Sequence, residues 1–261
     1  MTAMSPKPAA FSASGGGSRP AAAKSRWLPR APSPAAAARV FAIPYAGCGA
    51  GLYRNWPRGR GAVEFLPVEL PGRETRLGEP MPGSFQELGA ALVEGIAPYL
   101  DVPFALFGHC WSALAAYEAA VQLALAGLPA PSRLFVSSQV APQDGPVGRM
   151  LGMAQEEMAE ELATTIRALG GQPHPELLAI YAEVLRADVD VSKRYIVPDP
   201  PRLSCPITAI GWSQDTEVPA DRMAGWTACG STVFEVFQGH HHRFLDAPPE
   251  LIGMLGADVG V

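Results

Sequence analysis

Short apolar runs recur along the chain from Arg39 onward, and they alternate with stretches whose apolar positions have helical spacing. Runs that are apolar throughout are typical of strands covered by helices on both faces. Their alternation with helices predicts an α/β fold with a mainly parallel sheet. The predicted strands are Val40–Pro44, Val63–Leu70, Phe104–Gly108, Leu134–Ser138, Ile207–Gly211 and Val233–Phe237.

Helix signals follow two of these strands. Ser84 and Glu87 have the spacing of a capping box, in which a serine hydroxyl satisfies a free backbone N–H at the start of a helix. A second helix is predicted from Trp111 to about Leu128, where Gly127 and Pro129 end it.

The alternation stops between about residues 147 and 195. Two amphipathic helices are predicted there, Ala154–Leu169 and Pro175–Arg194, separated by glycine and proline. One interpretation is a helical hairpin within the core. The other is a lid, because insertions of this kind usually lie above the carboxyl ends of the strands, where ligands bind.

The first 38 residues are rich in Ala, Pro, Ser and Gly, and no acidic residue precedes Glu64. Such a segment buries too little apolar area to offset its ordering entropy, so a disordered tail is predicted at 1–38 and a folded domain at 39–261. No continuous apolar run resembles the core of a signal peptide, whereas the acid-poor composition is shared with organelle transit peptides.

Composition narrows the function. A chain of 261 residues with 48% hydrophobic residues and a net charge of −5 suits one globular domain, expected as a monomer. No basic run suggests a nucleic acid, and no apolar run reaches the roughly 18 to 20 residues of a membrane span. The scattered cysteines fit neither a disulfide framework nor a zinc site, which favours the cytoplasm. They are Cys48, Cys110, Cys205 and Cys229.

Gly108-His109-Cys110-Trp111-Ser112 stands between a predicted strand and a predicted helix, where a nucleophile elbow belongs. The usual pattern is G-x-S-x-G. Here Cys110 replaces the serine, and Ser112 replaces the second glycine, which is expected to crowd the turn. A thiol is the best substitute for a hydroxyl nucleophile, and a helix N-terminus favours its thiolate. Cys110 is therefore the candidate nucleophile, rather than an inert buried cysteine.

The partners of a nucleophile should come late in the chain, in the order acid and then histidine. Asp215 follows the fifth predicted strand, with Glu217 and Asp221 as nearby substitutes. Three histidines, His240 to His242, follow the sixth strand, and the residues alone do not decide which acts as base. Adjacent histidines point in different directions, so a shared metal ion is not expected.

An oxyanion hole needs two convergent backbone N–H groups. One is expected from Trp111, directly after the nucleophile. The other is expected at Ala46, in the glycine-rich loop Pro44–Gly49 that follows the first strand. No Lys or Ser/Thr follows this loop with the spacing of a phosphate-binding loop.

Taken together, these motifs resemble the type II thioesterases that accompany polyketide and nonribosomal peptide synthases. The resemblance covers about Val40 to Leu251. Its motifs are Pro44-Tyr45-Ala46-Gly47 followed by Tyr53 and Trp56, Leu70-Pro71-Gly72-Arg73, Gly108-His109-Cys110 where the family has G-H-S, Arg186-Ala187-Asp188 with Tyr195, Cys205-Pro206-Ile207, and Asp215.

The resemblance implies an α/β-hydrolase fold and an acyl-enzyme. The substrate would be an acyl group on the phosphopantetheine arm of an acyl or peptidyl carrier protein, and no cofactor is needed. The family pattern F-x-G-x-H, read from Phe237 and Gly239, places the base at His241. Counting back from Phe244 places it at His242 instead, and His241 is preferred.

The cysteine departs from the family in a way that bears on the reaction. An acyl group on Cys110 is itself a thioester, so its return to another thiol is nearly isoenergetic. At this one residue the chain resembles certain α/β-hydrolase relatives that have a cysteine here and move acyl or aminoacyl groups between two carriers. Three hypotheses follow: a carrier-thioester hydrolase, a carrier-to-carrier acyltransferase, and a non-catalytic protein that binds carriers.

Overall fold

The computed structural model describes residues 25–168 and 170–259. In these ranges the chain forms a mainly parallel sheet of seven strands. They are β1 (Ala38–Ile43), β2 (Gly59–Arg60), β3 (Val63–Pro67), β4 (Phe104–His109), β5 (Arg133–Ser137), β6 (Ile207–Trp212) and β7 (Thr232–Phe237).

The spatial order of the strands is β2-β3-β1-β4-β5-β6-β7. Every neighbouring pair is parallel except β2 and β3, which form a short antiparallel ribbon at one edge. Each residue of β1, β4 and β6 is buried, because helices cover both faces of the central sheet. The prediction of a parallel sheet covered by helices is therefore confirmed.

Helices connect the strands and close the fold. They are α1 (Phe85–Ile96), α2 (Trp111–Leu125), α3 (Gln155–Ala168), α4 (Pro175–Lys193), the single turn α5 (Trp226–Cys229) and α6 (Pro249–Ala257). Helix α2 is buried along nearly its whole length, which its run of small alanines permits. No helix in the described part of the chain is both long and apolar enough to cross a bilayer.

The six predicted strands all exist, with ends shifted by a few residues. The capping prediction is confirmed in part. The Ser84 hydroxyl accepts a hydrogen bond from the Glu87 N–H at 3.1 Å, but the Glu87 carboxylate accepts from Gly83 N–H. Strand β2 was not predicted, because a strand of two residues shows no periodicity in the sequence. Helix α6 was not predicted, because no polar capping residue marks its start.

The predicted tail needs correction. Residues 1–24 lie outside the described residues, but the segment from Ser25 to Ala37 packs on the domain. Trp27 and Leu28 are buried, the Trp27 ring lies 4.2 Å from the Arg76 guanidinium, and the Trp27 carbonyl accepts from Glu69 N–H at 2.8 Å. The boundary at residue 38 is therefore wrong, because average composition hid two large apolar side chains.

Helices α3 and α4 pack against each other and lie over the loop that follows β1. Gly47 of this loop is so close to α4 that a Cβ added there would lie 2.9 Å from the Leu185 Cβ and 3.2 Å from a Leu162 methyl. Its φ of +73° also favours glycine. The two helices thus meet the loop in which the sequence placed an oxyanion donor.

Candidate active site

Cys110 stands at a sharp turn between β4 and α2. Its φ of 52° and ψ of −123° lie in a region that non-glycine residues rarely adopt, and its N–H donates to the Ser137 carbonyl at 2.8 Å. A Cβ on Gly108 would lie 2.1 Å from the Ser112 carbonyl oxygen, so glycine is required there. This geometry is a strained strand-to-helix turn that presents a half-buried thiol at the start of a helix.

Ser112 closes this turn and does not crowd it. Its hydroxyl accepts from the His109 N–H at 2.9 Å and donates to the His109 carbonyl at 3.0 Å. Ser112 was expected to crowd the turn, but its hydroxyl instead makes two hydrogen bonds within it.

His241 is the histidine that the fold brings to the predicted acid. Its Nδ1 lies 2.9 Å from Asp215 Oδ2, and the side chains of both residues are buried. The other carboxylate oxygen of Asp215 accepts from the N–H groups of Glu217 at 2.8 Å and Val218 at 3.1 Å. These bonds fix the carboxylate, which in turn orients the imidazole so that Nε2 is left free.

The electrostatics of this pair favour an ion pair. Burial opposes protonation of His241, but its hydrogen bond with Asp215 and the nearby Cys110 thiol outweigh burial and raise the pKa of His241 to about 10. Burial likewise opposes ionisation of Asp215, yet the bond with His241 outweighs it and lowers the pKa of Asp215 to about 2. His241 Nε2 has no hydrogen-bond partner within residues 25–168 and 170–259.

The other histidines of the triplet are placed differently. His240 is exposed. The ring of His242 stands edge-on to Tyr45, and burial together with the charge of His241 lowers the pKa of His242 to about 4. Neither ring is hydrogen-bonded to Asp215, so His241 is the member of the triplet with the geometry of an oriented base.

The two predicted oxyanion donors lie on neighbouring parts of the fold. Ala46 belongs to the loop after β1, Trp111 is the first residue of α2 after β4, and β1 and β4 are adjacent strands. Ala46 and Trp111 are both buried. The adjoining Gly47 N–H is occupied, since it donates to Asp188 Oδ2 at 2.8 Å.

A serine hydroxyl and an imidazole also form a pair in the core beside the elbow. The sequence did not single out this pair. His109 Nδ1 lies 2.9 Å from Ser137 Oγ, and the Trp212 indole N–H donates to the same hydroxyl at 3.1 Å. Both His109 and Ser137 are fully buried. Burial, and then the charges of His241 and His242, hold the pKa of His109 well below its usual value.

The sequence also assigned no role to Asp188 and Arg73, which belong to two of the matched motifs. They form a buried, bidentate ion pair with distances of 2.9 and 3.0 Å. Their separation of 115 residues explains why spacing gave no signal. A buried charge requires a partner of opposite charge, and the bidentate geometry fixes how the two side chains are oriented.

A cleft of about 460 Å³ opens beside the histidines. Arg149 spans it by ion pairs to Glu161 of α3 and to Glu217. Glu217, His241 and His242 each offer one ligand atom, and these atoms lie within 4.8 Å of one another. Imidazole nitrogens and carboxylate oxygens are ligand types that divalent metals accept, whereas the sequence predicts no metal ion shared by these histidines.

Comparison with known proteins identifies relatives across the domain. The family model described as thioesterase domain matches residues 38–259. The Gramicidin S biosynthesis protein GrsT of Aneurinibacillus migulanus is 31% identical over 229 residues, covering 84% of this chain and 87% of that protein. Linear gramicidin dehydrogenase LgrE of Brevibacillus parabrevis is 31% identical, covering 88% and 91%.

Two solved thioesterase structures are also similar to this chain. RedJ, a thioesterase from the prodiginine biosynthetic pathway in Streptomyces coelicolor, is 33% identical with a TM-score of 0.70, covering 86% of this chain and 91% of RedJ. The type II thioesterase BorB from the borrelidin biosynthetic cluster is 26% identical with a TM-score of 0.75, covering 91% and 99%. The predicted α/β-hydrolase fold is thereby confirmed.

Proposed function

The chain belongs to the thioesterase domain family, among the type II thioesterases of polyketide and nonribosomal peptide pathways, and from this premise we propose that it cleaves carrier-bound acyl thioesters through Cys110. Acyl or peptidyl carrier proteins are the partners in this proposal. GrsT, RedJ and BorB are each named for the biosynthesis of a natural product, and RedJ and BorB are named as thioesterases. The thioester of a pantetheine arm is the substrate that we propose for this chain.

One observation carries the assignment of the nucleophile. Cys110 stands at the positive-φ apex of the turn before α2, and the thiol is near enough to His241 to raise that residue's pKa. Asp215 holds the opposite nitrogen of the same imidazole at 2.9 Å. A nucleophile, a base and an orienting acid in this order are the parts that covalent acyl transfer requires.

The steps follow from this arrangement. In the charged pair with Asp215, His241 Nε2 already carries the proton that the Cys110 thiol gives up, and the sulfur attacks the carbonyl carbon of the thioester. The N–H groups of Ala46 and Trp111 stabilise the oxyanion. The carbon–sulfur bond to pantetheine then breaks, and the departing thiolate takes the proton from His241. Water, deprotonated by His241, hydrolyses the Cys110 thioester and releases the free acid.

The buried pair of Ser137 and His109 is the rival nucleophile and base. It has the favourable distance of 2.9 Å, but the Ser137 side chain is fully buried and its hydroxyl already accepts from Trp212. A thioester on a carrier protein must be able to reach the nucleophile of the enzyme. Cys110 is partly exposed, and this difference favours the thiol.

Intact-protein mass spectrometry after incubation with an acyl-pantetheine separates the two candidates. We expect an acyl adduct on the wild-type protein and on Ser137→Ala, and none on Cys110→Ala. An adduct that persists on Cys110→Ala and disappears on Ser137→Ala would assign the chemistry to Ser137.

Transfer between two carriers is the second candidate function, and the presence of Cys110 instead of serine is the observation that favours it. A thioester on Cys110 has nearly the same free energy as the carrier thioester, so a second carrier thiol competes well with water. A protein that only binds carriers is the third candidate, and it requires Cys110 to stay unmodified.

A labelling experiment distinguishes the three functions. One carrier protein is loaded with a radiolabelled acyl group, and the enzyme is added with and without a second, empty carrier. Label released as free acid in both cases supports hydrolysis and excludes transfer. Label found on the second carrier with little free acid supports transfer, and label that stays on the first carrier supports binding alone.

A further inference from the structure

Resting on the proposed function, we infer that Asp188 of helix α4 is a positioning residue that holds both donor segments of the oxyanion hole. It makes one contact to each segment. Through these contacts the α3–α4 pair, which the sequence leaves open as a core hairpin or a lid, is connected to the catalytic step.

The first contact fixes the loop after β1. Asp188 Oδ2 accepts a hydrogen bond from the Gly47 N–H at 2.8 Å. Gly47 directly follows Ala46, so this bond orients the peptide unit next to the Ala46 donor. The loop has little freedom to compensate, because Gly47 has a φ of +73° and is packed against Leu185.

The second contact fixes the start of α2. The backbone carbonyl of Asp188 accepts from the Trp111 indole N–H at 2.9 Å. Trp111 supplies the other oxyanion donor through its backbone, and its side chain is buried. A single residue therefore holds two segments that follow different strands of the sheet, the loop after β1 and the start of α2 after β4.

Arg73 supplies the charge that makes this arrangement stable. Its guanidinium binds both carboxylate oxygens of Asp188 at 2.9 and 3.0 Å, and it also donates to the Cys48 carbonyl at 3.3 Å. Arg73 is 2% and Asp188 is 4% exposed. A buried carboxylate requires such a partner, and the bidentate fork also fixes its orientation.

None of the hydrogen bonds of Asp188 described here involves the Cys110 sulfur or the His241 ring. Its loss is therefore expected to weaken stabilisation of an oxyanion without changing the reactivity of the thiol. Alkylation of Cys110 by iodoacetamide displaces iodide and forms no oxyanion, whereas acylation by an acyl-pantetheine does. Comparing the two rates isolates the proposed role from a general disturbance of the site.

The test uses Asp188→Asn, which keeps one oxygen acceptor but removes the negative charge that the Arg73 guanidinium binds. Both rates on Cys110 are followed by mass spectrometry. We expect acylation to slow by about 10-fold or more, since removal of an oxyanion donor costs roughly 10² to 10³ in rate. Alkylation should change by less than about 2-fold, and KM should change less than kcat.

Two further variants complete the design. Asp190→Asn is the matched control on the same helix, since Asp190 is partly exposed and pairs with Lys193 at 3.5 Å. Both of its rates should equal those of the wild type. Arg73→Lys keeps the positive charge but loses the bidentate fork. It should show the same selective loss of acylation, and it decides the question if Asp188→Asn does not fold.

The outcomes are distinct. Equal losses of acylation and alkylation, or no loss of either, would overturn the role of Asp188 while leaving the Cys110 mechanism intact. If the wild-type protein forms no acyl adduct on Cys110, the proposed function fails, and this inference fails with it.

Discussion

His241 Nδ1 and Asp215 Oδ2 lie 2.9 Å apart, although 26 positions separate the two residues in the chain. Strands β6 and β7 are parallel neighbours, and Asp215 and His241 lie in the loops that follow them. The carboxyl ends of neighbouring parallel strands share one edge of the sheet, so these loops meet. The choice of His241 within the histidine triplet rests on this contact.

The choice of base has a kinetic consequence. His241→Ala should lower kcat/KM by about 10² to 10⁴-fold, the usual contribution of a general acid or base. His242→Ala should lower it by less than about 10-fold, because His242 makes no hydrogen bond to Asp215. Steady-state hydrolysis of an acyl-pantetheine measures both. Equal and mild losses would show that neither imidazole acts on the thiol.

The raised pKa of His241 predicts a pH dependence of stability. The pKa rises from an ordinary value of 6.5 to about 10 on folding, so the protonated ring stabilises the fold fully below pH about 6.5. This contribution is lost as the pH rises through 10. Asp215 stays ionised throughout this window because its pKa is lowered to about 2.

Chemical denaturation between pH 6 and 10 measures this effect. The difference in unfolding free energy between the wild-type protein and His241→Gln should shrink as the pH rises, since only the wild-type protein carries the titrating ring. A difference that stays constant across the window would contradict the ion pair between His241 and its neighbours.

The nucleophile should control the fate of the acyl group. In Cys110→Ser the acyl-enzyme is an oxygen ester, whose transfer to a thiol is less favourable than transfer from a thioester. Some adduct formation should remain, and the ratio of free acid to acylated second carrier should rise. The two-carrier labelling experiment measures this ratio. An unchanged ratio would argue against the thioester explanation for transfer.

Ser112 should contribute to stability through the elbow turn. Ser112→Ala leaves the buried His109 N–H and carbonyl without their hydroxyl partner, which should cost about 1 to 3 kcal/mol in unfolding free energy. Ser213→Ala is the matched control, because Ser213 is exposed and should change stability by less than about 0.5 kcal/mol. Urea denaturation compares the two, and equal losses would mean that the turn does not depend on the hydroxyl.

Features that depend on neighbouring residues could be predicted from the sequence. The strands were predicted because each is short and apolar, and the elbow was predicted because its residues are consecutive between a strand and a helix. Trp27 was missed since a single aromatic residue in an Ala- and Pro-rich segment has no periodicity. Its burial depends on Gly95 of α1 and on Arg76, which lie far along the chain.

The amino-acid sequence by itself determined the α/β architecture, the position of Cys110 and the order of its partners, because these depend on neighbouring residues and on strand order. Only the tertiary structure decided that His241 meets Asp215 and that Asp188 joins Gly47 to Trp111. The physical reason is that hydrogen bonds act over about 3 Å. Residues 26, 77 and 141 positions apart reach that distance only when the sheet and helix α4 bring their loops together.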